Sequence, residues 1–167
     1  VPTSGATFSQ VSGHIYGSRD EPEKSWTEAV IPVRTFKSGM AAIDKVLLNS
    51  GDFFRPGEYP VIRFRSTGIA TVDKNKREFS MDGELTVNGI TRPVVLFAKA
   101  GNTGPHPFYG GSQSASLNAT TTFRRSDFGM GKYSGMVSDE MKVTLVVEAM
   151  EAGPDGRPLV AGSAPAP

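Results

Sequence analysis

Phe79-Ser80-Met81-Asp82-Gly83-Glu84-Leu85-Thr86-Val87-Asn88-Gly89 is the stretch on which the fold turns. Phe79, Met81, Gly83, Leu85 and Val87 alternate with Ser80, Asp82, Glu84 and Thr86, the period-2 pattern of a strand with one apolar and one wet face. Asn88-Gly89 comes next and supplies the positive φ angles of a two-residue hairpin turn. The run 94–98 then pairs back against the first strand.

The same alternation extends in both directions. Over residues 61–71, Ile62 and Phe64 oppose Arg63 and Arg65. Ala115, Leu117, Ala119, Thr121 and Phe123 form another inward set, and Met141, Val143, Leu145, Val147 and Ala149 the last. Earlier, Ala29, Ile31 and Val33 alternate with Glu28, Val30 and Arg34, and residues 8–17 read as a glycine-broken strand. Between Gly39 and Gly51 the period changes: Met40, Ile43, Val46 and Leu47 are spaced by three and four, which predicts a short amphipathic helix lying across one end of a sheet. About seven short strands with turn signals between them predict an all-β sandwich or barrel. Seven is awkward for an up-and-down barrel, so an eighth strand is expected upstream of residue 1, before Phe8, or in a segment the pattern misses.

One domain accounts for the length: residues 1–152 as the β domain, and 153–167, rich in Gly, Ala and Pro, as a flexible tail. Eighteen basic residues against 17 acidic ones argue against a nucleic-acid partner, which needs a concentrated basic surface. The densest basic run, Lys74-Asn75-Lys76-Arg77, falls between two strands and reads as a solvated turn. With no cysteine, disulfides, thiolate metal sites and cysteine nucleophiles are excluded. No apolar run reaches the roughly 18 to 20 residues of a membrane-spanning helix. The start at Val1 is consistent with a leader removed before this numbering.

No chemistry-bearing constellation is visible. His14 sits in a strand pattern and His106 between prolines, without metal-ligand spacing. Ser126-Asp127 and Ser138-Asp139 supply hydroxyls and carboxylates, but nothing organises a nucleophile, a base and an orienting group. Neither a nucleophile elbow nor a phosphate loop occurs. Attention therefore passes to the interior. A barrel of this size is filled by side chains or holds one small ligand. Small inward residues (Gly83, Ala115, Ala119, Ala149) leave room for a ligand, and they equally interdigitate with bulky neighbours in a solid core; alternation leaves both open.

Three motifs in order carry a resemblance. Asp52-Phe53-Phe54, with Glu58-Tyr59-Pro60-Val61-Ile62-Arg63-Phe64-Arg65-Ser66-Thr67, resembles the DFF…YPxIxFxST signature of the YceI-like family. Gly83-Glu84-Leu85-Thr86-Val87-Asn88-Gly89-Ile90-Thr91-Arg92-Pro93-Val94 is similar to that family's GxLTxxGxTrPV. Arg125-Ser126-Asp127-Phe128-Gly129-Met130, with Val137-Ser138-Asp139-Glu140 after it, is the third. The resemblance implies an antiparallel, eight-stranded lipocalin-like barrel with one short helix and an altered or missing first strand. It also implies a periplasmic or secreted location, no catalysis, no covalent cofactor, and a bound polyisoprenoid or prenyl quinone such as ubiquinone. The segment 35–48 departs from the family's SIDTGNxxRDxHL: the helical pattern is kept and the polar identities differ.

The residues expected to line the lipid are Phe54, Ile62, Phe64, Leu85, Leu96, Leu117, Phe123, Phe128, Met130, Leu145 and Val147. Met130 beside Met136 suits a flexible apolar chain. Tyr59-Pro60 is expected to fix entry into a strand. Arg92 either sets register beyond the Asn-Gly turn or meets a polar headgroup at a barrel mouth. Arg125 and Asp127 either pair or brace a turn. The loop 102–112, holding Phe108 and Tyr109, is either a lid or a surface loop over tucked aromatics. Partners expected are the apolar lipid, a transient membrane or membrane-protein contact, and a second copy of the chain. The rival readings are an envelope-stress or redox module that delivers a quinone, and a carrier of a fatty-acid-like amphiphile.

Overall fold

A computed structural model of the chain describes residues 5–18, 20–105 and 113–152. Among these residues nine strands and one α-helix occur in order: β1 (Thr7–Phe8), β2 (Ser12–Tyr16), β3 (Trp26–Pro32), β4 (Phe36–Lys37), α1 (Ala41–Asn49), β5 (Val61–Asp73), β6 (Glu78–Val87), β7 (Ile90–Pro105), β8 (Gln113–Arg124) and β9 (Glu140–Met150). Seven of them form one sheet in the order β2-β3-β5-β6-β7-β8-β9, every neighbouring pair antiparallel. The sheet curls into a half-barrel.

The fold class is the expected one: antiparallel β, barrel-like, with one short helix. The strands are distributed differently from an eight-stranded closed barrel. β1 and β4 form a separate two-stranded ribbon, and among the described residues no ladder joins β2 to β9. The stretch that reads in sequence as one glycine-broken strand, 8–17, is divided between the two sheets, because Phe8 pairs with Phe36 whereas Ser12–Tyr16 pairs with β3.

The β6–β7 hairpin forms as its sequence requires. Val87 pairs with Ile90, leaving Asn88 (φ 51°) and Gly89 (φ 73°) as the two central residues, both at the positive φ of a type I′ turn. The Asn88 side chain is buried, and both of its polar atoms are hydrogen-bonded. Its Nδ2 donates to the carbonyls of Phe53 (2.8 Å) and Phe128 (3.3 Å), and its Oδ1 accepts from the Arg55 amide (3.2 Å). One turn residue thus holds two other loops onto the same end of the sheet.

The basic run 74–77 is a turn, with the Asp73 carboxylate accepting from the amides of Asn75 and Lys76. β5 departs from simple alternation: its register shifts between Ser66 and Gly68 and again between Ile69 and Thr71. Each shift is a β-bulge that inverts the facing of the residues beyond it, so the inward set runs Ile62, Phe64, Ser66, Ile69 and Val72. β7 and β8 extend further than alternation indicates, to Pro105 and from Gln113, which shortens the expected loop 102–112; Phe108 and Tyr109, like the tail from residue 153, lie outside the described residues.

The helix forms where the spacing places it but presents a different face. Met40, Ile43 and Val46 are exposed, while Leu47 is half-buried and Leu48 packs on the core. The reason is its tether: the Phe54 amide donates to the Leu47 carbonyl (3.1 Å), drawing the 47–48 side towards the sheet.

A β-carbon at Gly89 would meet the Tyr59 ring at 2.5 Å on a backbone already at φ 73°. Gly89→Ala is therefore expected to destabilise the fold by about 2 kcal/mol, read as a lowered denaturant midpoint. Gly57→Ala, where nothing lies within 4 Å, is the control and should change stability by less than about 0.5 kcal/mol.

Candidate functional site

Alternation along each strand gives the curled sheet an apolar inner face, and register decides how that face is filled. At the end holding the Asn-Gly turn, Val33, Ile62, Leu85, Val87, Val94, Phe128 and Met130 form one buried cluster. Phe128 is 0% exposed and meets Phe123 edge-on at 5.3 Å. Phe8, Phe36 and Phe54 close this end further as a mutual aromatic triad with centroids 5.4 to 5.9 Å apart. A second cluster, Met81, Leu96, Ala98 and Ala119, lies further along, with Phe64, Ile69, Phe79, Leu117 and Leu145 packed against it half-buried.

Towards the opposite end the filling thins. Leu117 faces Ala100 on one side and Val147 on the other, and Ala115 faces Ala149. These side chains are half-buried or exposed although they point inward, since β9 is an edge and small residues leave the concave face uncovered. Among the described residues the result is an apolar inner face packed at the Phe128 end and left partly uncovered past Leu117, which forms a trough.

The space left by Gly83 is a different case. A β-carbon there would lie 2.4 Å from the Phe64 ring, so that ring already occupies it. At Gly83 the small inward residue therefore interdigitates with a bulky neighbour.

The expected ligand-lining residues divide along the same line. Ile62, Leu85, Phe128 and Met130 are buried in the end cluster, Phe123 packs on it, and Leu96 is buried in the second. Phe54 lies off the sheet in the aromatic triad. Leu117, Leu145 and Val147 line the trough, and Phe64 touches both clusters. Ala100, Val143 and Ala149 also face the trough; alternation marks Val143 and Ala149 as inward, but alanine and valine carry no chemical flag. Arg92 is exposed beside the β6–β7 turn, at the closed end, with its guanidinium on the Thr91 carbonyl (3.2 Å). A shallow depression of about 590 Å3 is lined by outward residues such as Thr67, Glu84 and Phe97 together with the inward Gly83, Val94 and Thr121.

The Arg125 motif braces the closed end, through carbonyls and not through Asp127. Arg125 is buried. Its guanidinium donates to the carbonyls of Met130, Lys132 (2.8 Å), Val137 (3.0 Å) and Ser138 (2.9 Å), so that one side chain holds the 129–138 loop. Asp127 is exposed. Asp139 instead accepts from the Ser126 amide (2.9 Å) and hydroxyl (2.6 Å). Lys132 pairs with Asp52 (2.6 Å), and Tyr133 stacks on Phe53 at 6.3 Å. Met136, whose expected place is beside Met130 against a ligand, is 86% exposed on this loop. No group of three or more potential metal-ligating side chains converges among the described residues.

A family model described as "YceI-like domain" matches residues 2–149. A curated "UPF0312 protein" of Azotobacter vinelandii is 29% identical over 144 residues, covering 86% of this chain and 72% of that protein. Another from Pseudomonas putida strain GB-1 is 30% identical over 145 residues, covering 87% and 72%. Among solved structures, the Campylobacter jejuni YCEI protein superposes with a TM-score of 0.77 at 20% identity, covering 92% of this chain and 88% of that one. Burkholderia cenocepacia BcnA does so at 0.74 and 19%, covering 86% of each.

The Ser126 hydroxyl and amide, with help from the Arg125 charge, hold the Asp139 carboxyl below its ordinary 3.8; the Ser38 hydroxyl and amide do the same for Asp44. A carboxylate lowered in the folded state stabilises it above the unfolded value, and that contribution is lost as pH falls through the folded value. The thermal midpoint is expected to hold from about pH 6 to about pH 4 and to fall below it, and Asp139→Ala should lower the plateau by a few degrees while flattening the acid limb. Calorimetry across that range checks both.

Proposed function

The chain belongs to the YceI-like family, and on that premise we propose that it carries or sequesters a long apolar lipid along the inner trough, without catalysing a reaction on it. The observation that supports this reading is the uneven filling of the interior. A solid aromatic plug at one end gives way to half-buried Leu117, Leu145, Val147 and Ala149 on a concave face at the other. A domain that only needed a core would cover that face. A lipid carrier needs it uncovered until the ligand arrives.

Burial of a polyisoprenoid or prenyl quinone is driven by the release of water from apolar surface, worth about 0.8 kcal/mol for each methylene-sized unit covered. Chain length then sets affinity, and few polar contacts are required. A fatty-acid-like amphiphile fits the same trough by the same physics. A periplasmic or secreted location accords with this role, since lipid exchange across an aqueous envelope needs a protein container.

One observation favours delivery to a membrane or membrane protein as part of the cycle. Met40 at the start of α1 and Ile43 and Val46 on it, together with Tyr133, Met136 and Val137, are exposed on segments joined by the Lys132–Asp52 pair. This gives the closed end an apolar surface suited to transient docking.

Native mass spectrometry and organic extraction of gently purified protein should recover a lipid, and an added prenyl quinone should bind. Recovery of none, with no binding of the added quinone, would overturn the reading. Ala149→Phe places a ring in the trough without disturbing the plug. It is expected to weaken quinone binding about tenfold or more while moving the thermal midpoint by no more than about 2 °C.

A further inference from the structure

The solvent side of α1 is unusual for a surface helix. Its exposed positions are Ala41, Ala42, Ile43, Lys45, Val46 and Asn49, with Met40 exposed just before them, so that side is mostly apolar. A surface helix ordinarily turns charged and polar residues to water. Here Lys45 is the one charge on that side. The helix's acid, Asp44, is half-buried and turned away, where it accepts from the Ser38 amide (2.8 Å) and hydroxyl (2.6 Å). Lys37, at the end of β4, is exposed as well.

The loop 131–137 repeats the pattern. It exposes Tyr133, Met136 and Val137, and its one charge is Lys132. These side chains stand on a fixed backbone. The amides of Met136 and Val137 both donate to the Tyr133 carbonyl (2.9 Å each), and Arg125 holds the carbonyls of Lys132 and Val137. Tyr133 itself adopts φ 62°, a conformation that strains a bulky residue and collects at functional positions. Loop and helix also share one support. Tyr133 stacks on Phe53, Lys132 pairs with Asp52, and the Phe54 amide donates to the Leu47 carbonyl of α1. None of the six exposed apolar side chains belongs to a buried cluster.

We propose that this face docks on an anionic bilayer surface. Met40, Ile43, Val46, Tyr133, Met136 and Val137 enter the boundary between headgroups and acyl chains, and Lys37 and Lys45 reach headgroup phosphates. Apolar side chains that stand clear of the protein suit a deformable partner, and flexible lysine stems keep their charge at headgroup level while the apolar groups go deeper. The neighbouring acids do not oppose such a surface, since Asp44 is bonded to Ser38 and Asp52 to Lys132. A second copy laid face to face would set lysine against lysine. This inference rests on the docking part of the reading above and names its partner; it is independent of what fills the trough.

The test is co-sedimentation of the full chain with quinone-free vesicles, of phosphatidylcholine alone or with about a third phosphatidylglycerol. Wild-type protein should bind the anionic vesicles about tenfold more tightly than the neutral ones, and added salt should remove most of that difference. Val46→Gln/Met136→Gln should weaken anionic binding about fivefold or more, and Lys37→Gln/Lys45→Gln should bring it close to the neutral level. Phe97→Thr removes a ring that is 62% exposed on the outer face of β7 and should bind as the wild type does. All these positions are exposed, so each variant should keep its thermal midpoint within about 2 °C. No sedimentation with either vesicle would overturn the proposal, as would equal binding to both, or a loss in Phe97→Thr matching that in Val46→Gln/Met136→Gln. Self-association abolished by Val46→Gln/Met136→Gln, without vesicle binding, would overturn it in favour of a second copy. Quinone binding, measured separately, decides the carrier reading whichever way the vesicles answer.

Discussion

The closed end of the molecule depends on the amide of Asn88. A two-residue type I′ turn is a local event, encoded by Asn-Gly and sufficient to set the register of β6 against β7. Here its first residue also reaches outward in space, donating to Phe53 and Phe128 and accepting from Arg55. Those loops come from more than 30 positions away on either side in the chain. An aspartate would supply the turn but not the two donors, because a carboxylate only accepts. Through this one side chain the segment after α1 and the turn after β8 are brought against the same hairpin. The Phe8-Phe36-Phe54 triad and the fully buried Phe128 then pack where they do.

Closing one end so firmly has a consequence for the other. The strands are long, from 10 to 16 residues in β5 to β9, and the plug occupies only the portion nearest the turn. Beyond it the inward positions of β7, β8 and β9 are largely alanine and valine, and no strand pairs the free edge of β9 among the described residues. Aromatic volume is concentrated at one end, and concave apolar surface is left at the other. Arg125 supports the same division. Among the described residues no carboxylate lies directly on its buried positive charge, and four carbonyls of the 129–138 loop compensate it, so that the loop folds over the plug and away from the trough.

Legibility in the sequence varies with the residue. The alternation over 79–87 and the Asn-Gly pair place β6, its facing and its turn correctly, because a strand's side-chain period and a type I′ turn are both local properties. The seven strands of the main sheet each leave such a trace. The β-bulges of β5 do not: an inserted residue leaves composition untouched and shows only when Gly68 and Thr71 are set against their partners on β6. The facing of α1 is hidden for a related reason. Met40, Ile43, Val46 and Leu47 are correctly spaced for a helix, yet which side packs is decided by the tether from Phe54 to Leu47 and not by the helix itself. Arg125 and Asp127 look like a pair two residues apart. Only the folded loop shows that Arg125 turns to carbonyls and that Ser126 takes Asp139.

The sequence by itself determined the fold class, the hairpin that sets its register, the position of the helix and the family, since each arises from short-range periodicity or from contiguous motifs. Tertiary structure decided which inward residues are plug and which are trough. Gly83 and Ala149 look alike as small inward positions; the first is filled by Phe64 from a neighbouring strand, and the second, on the edge strand, pairs only with the small Ala115. Thr121 shows the same limit. In a run of three threonines its hydroxyl does not stand out, and its being buried without a hydrogen-bond partner among the described residues depends on what the other strands bring to it. The physical reason is that volume and hydrogen-bond satisfaction are sums over neighbours in space, whereas the periodic pattern records only which way each side chain points.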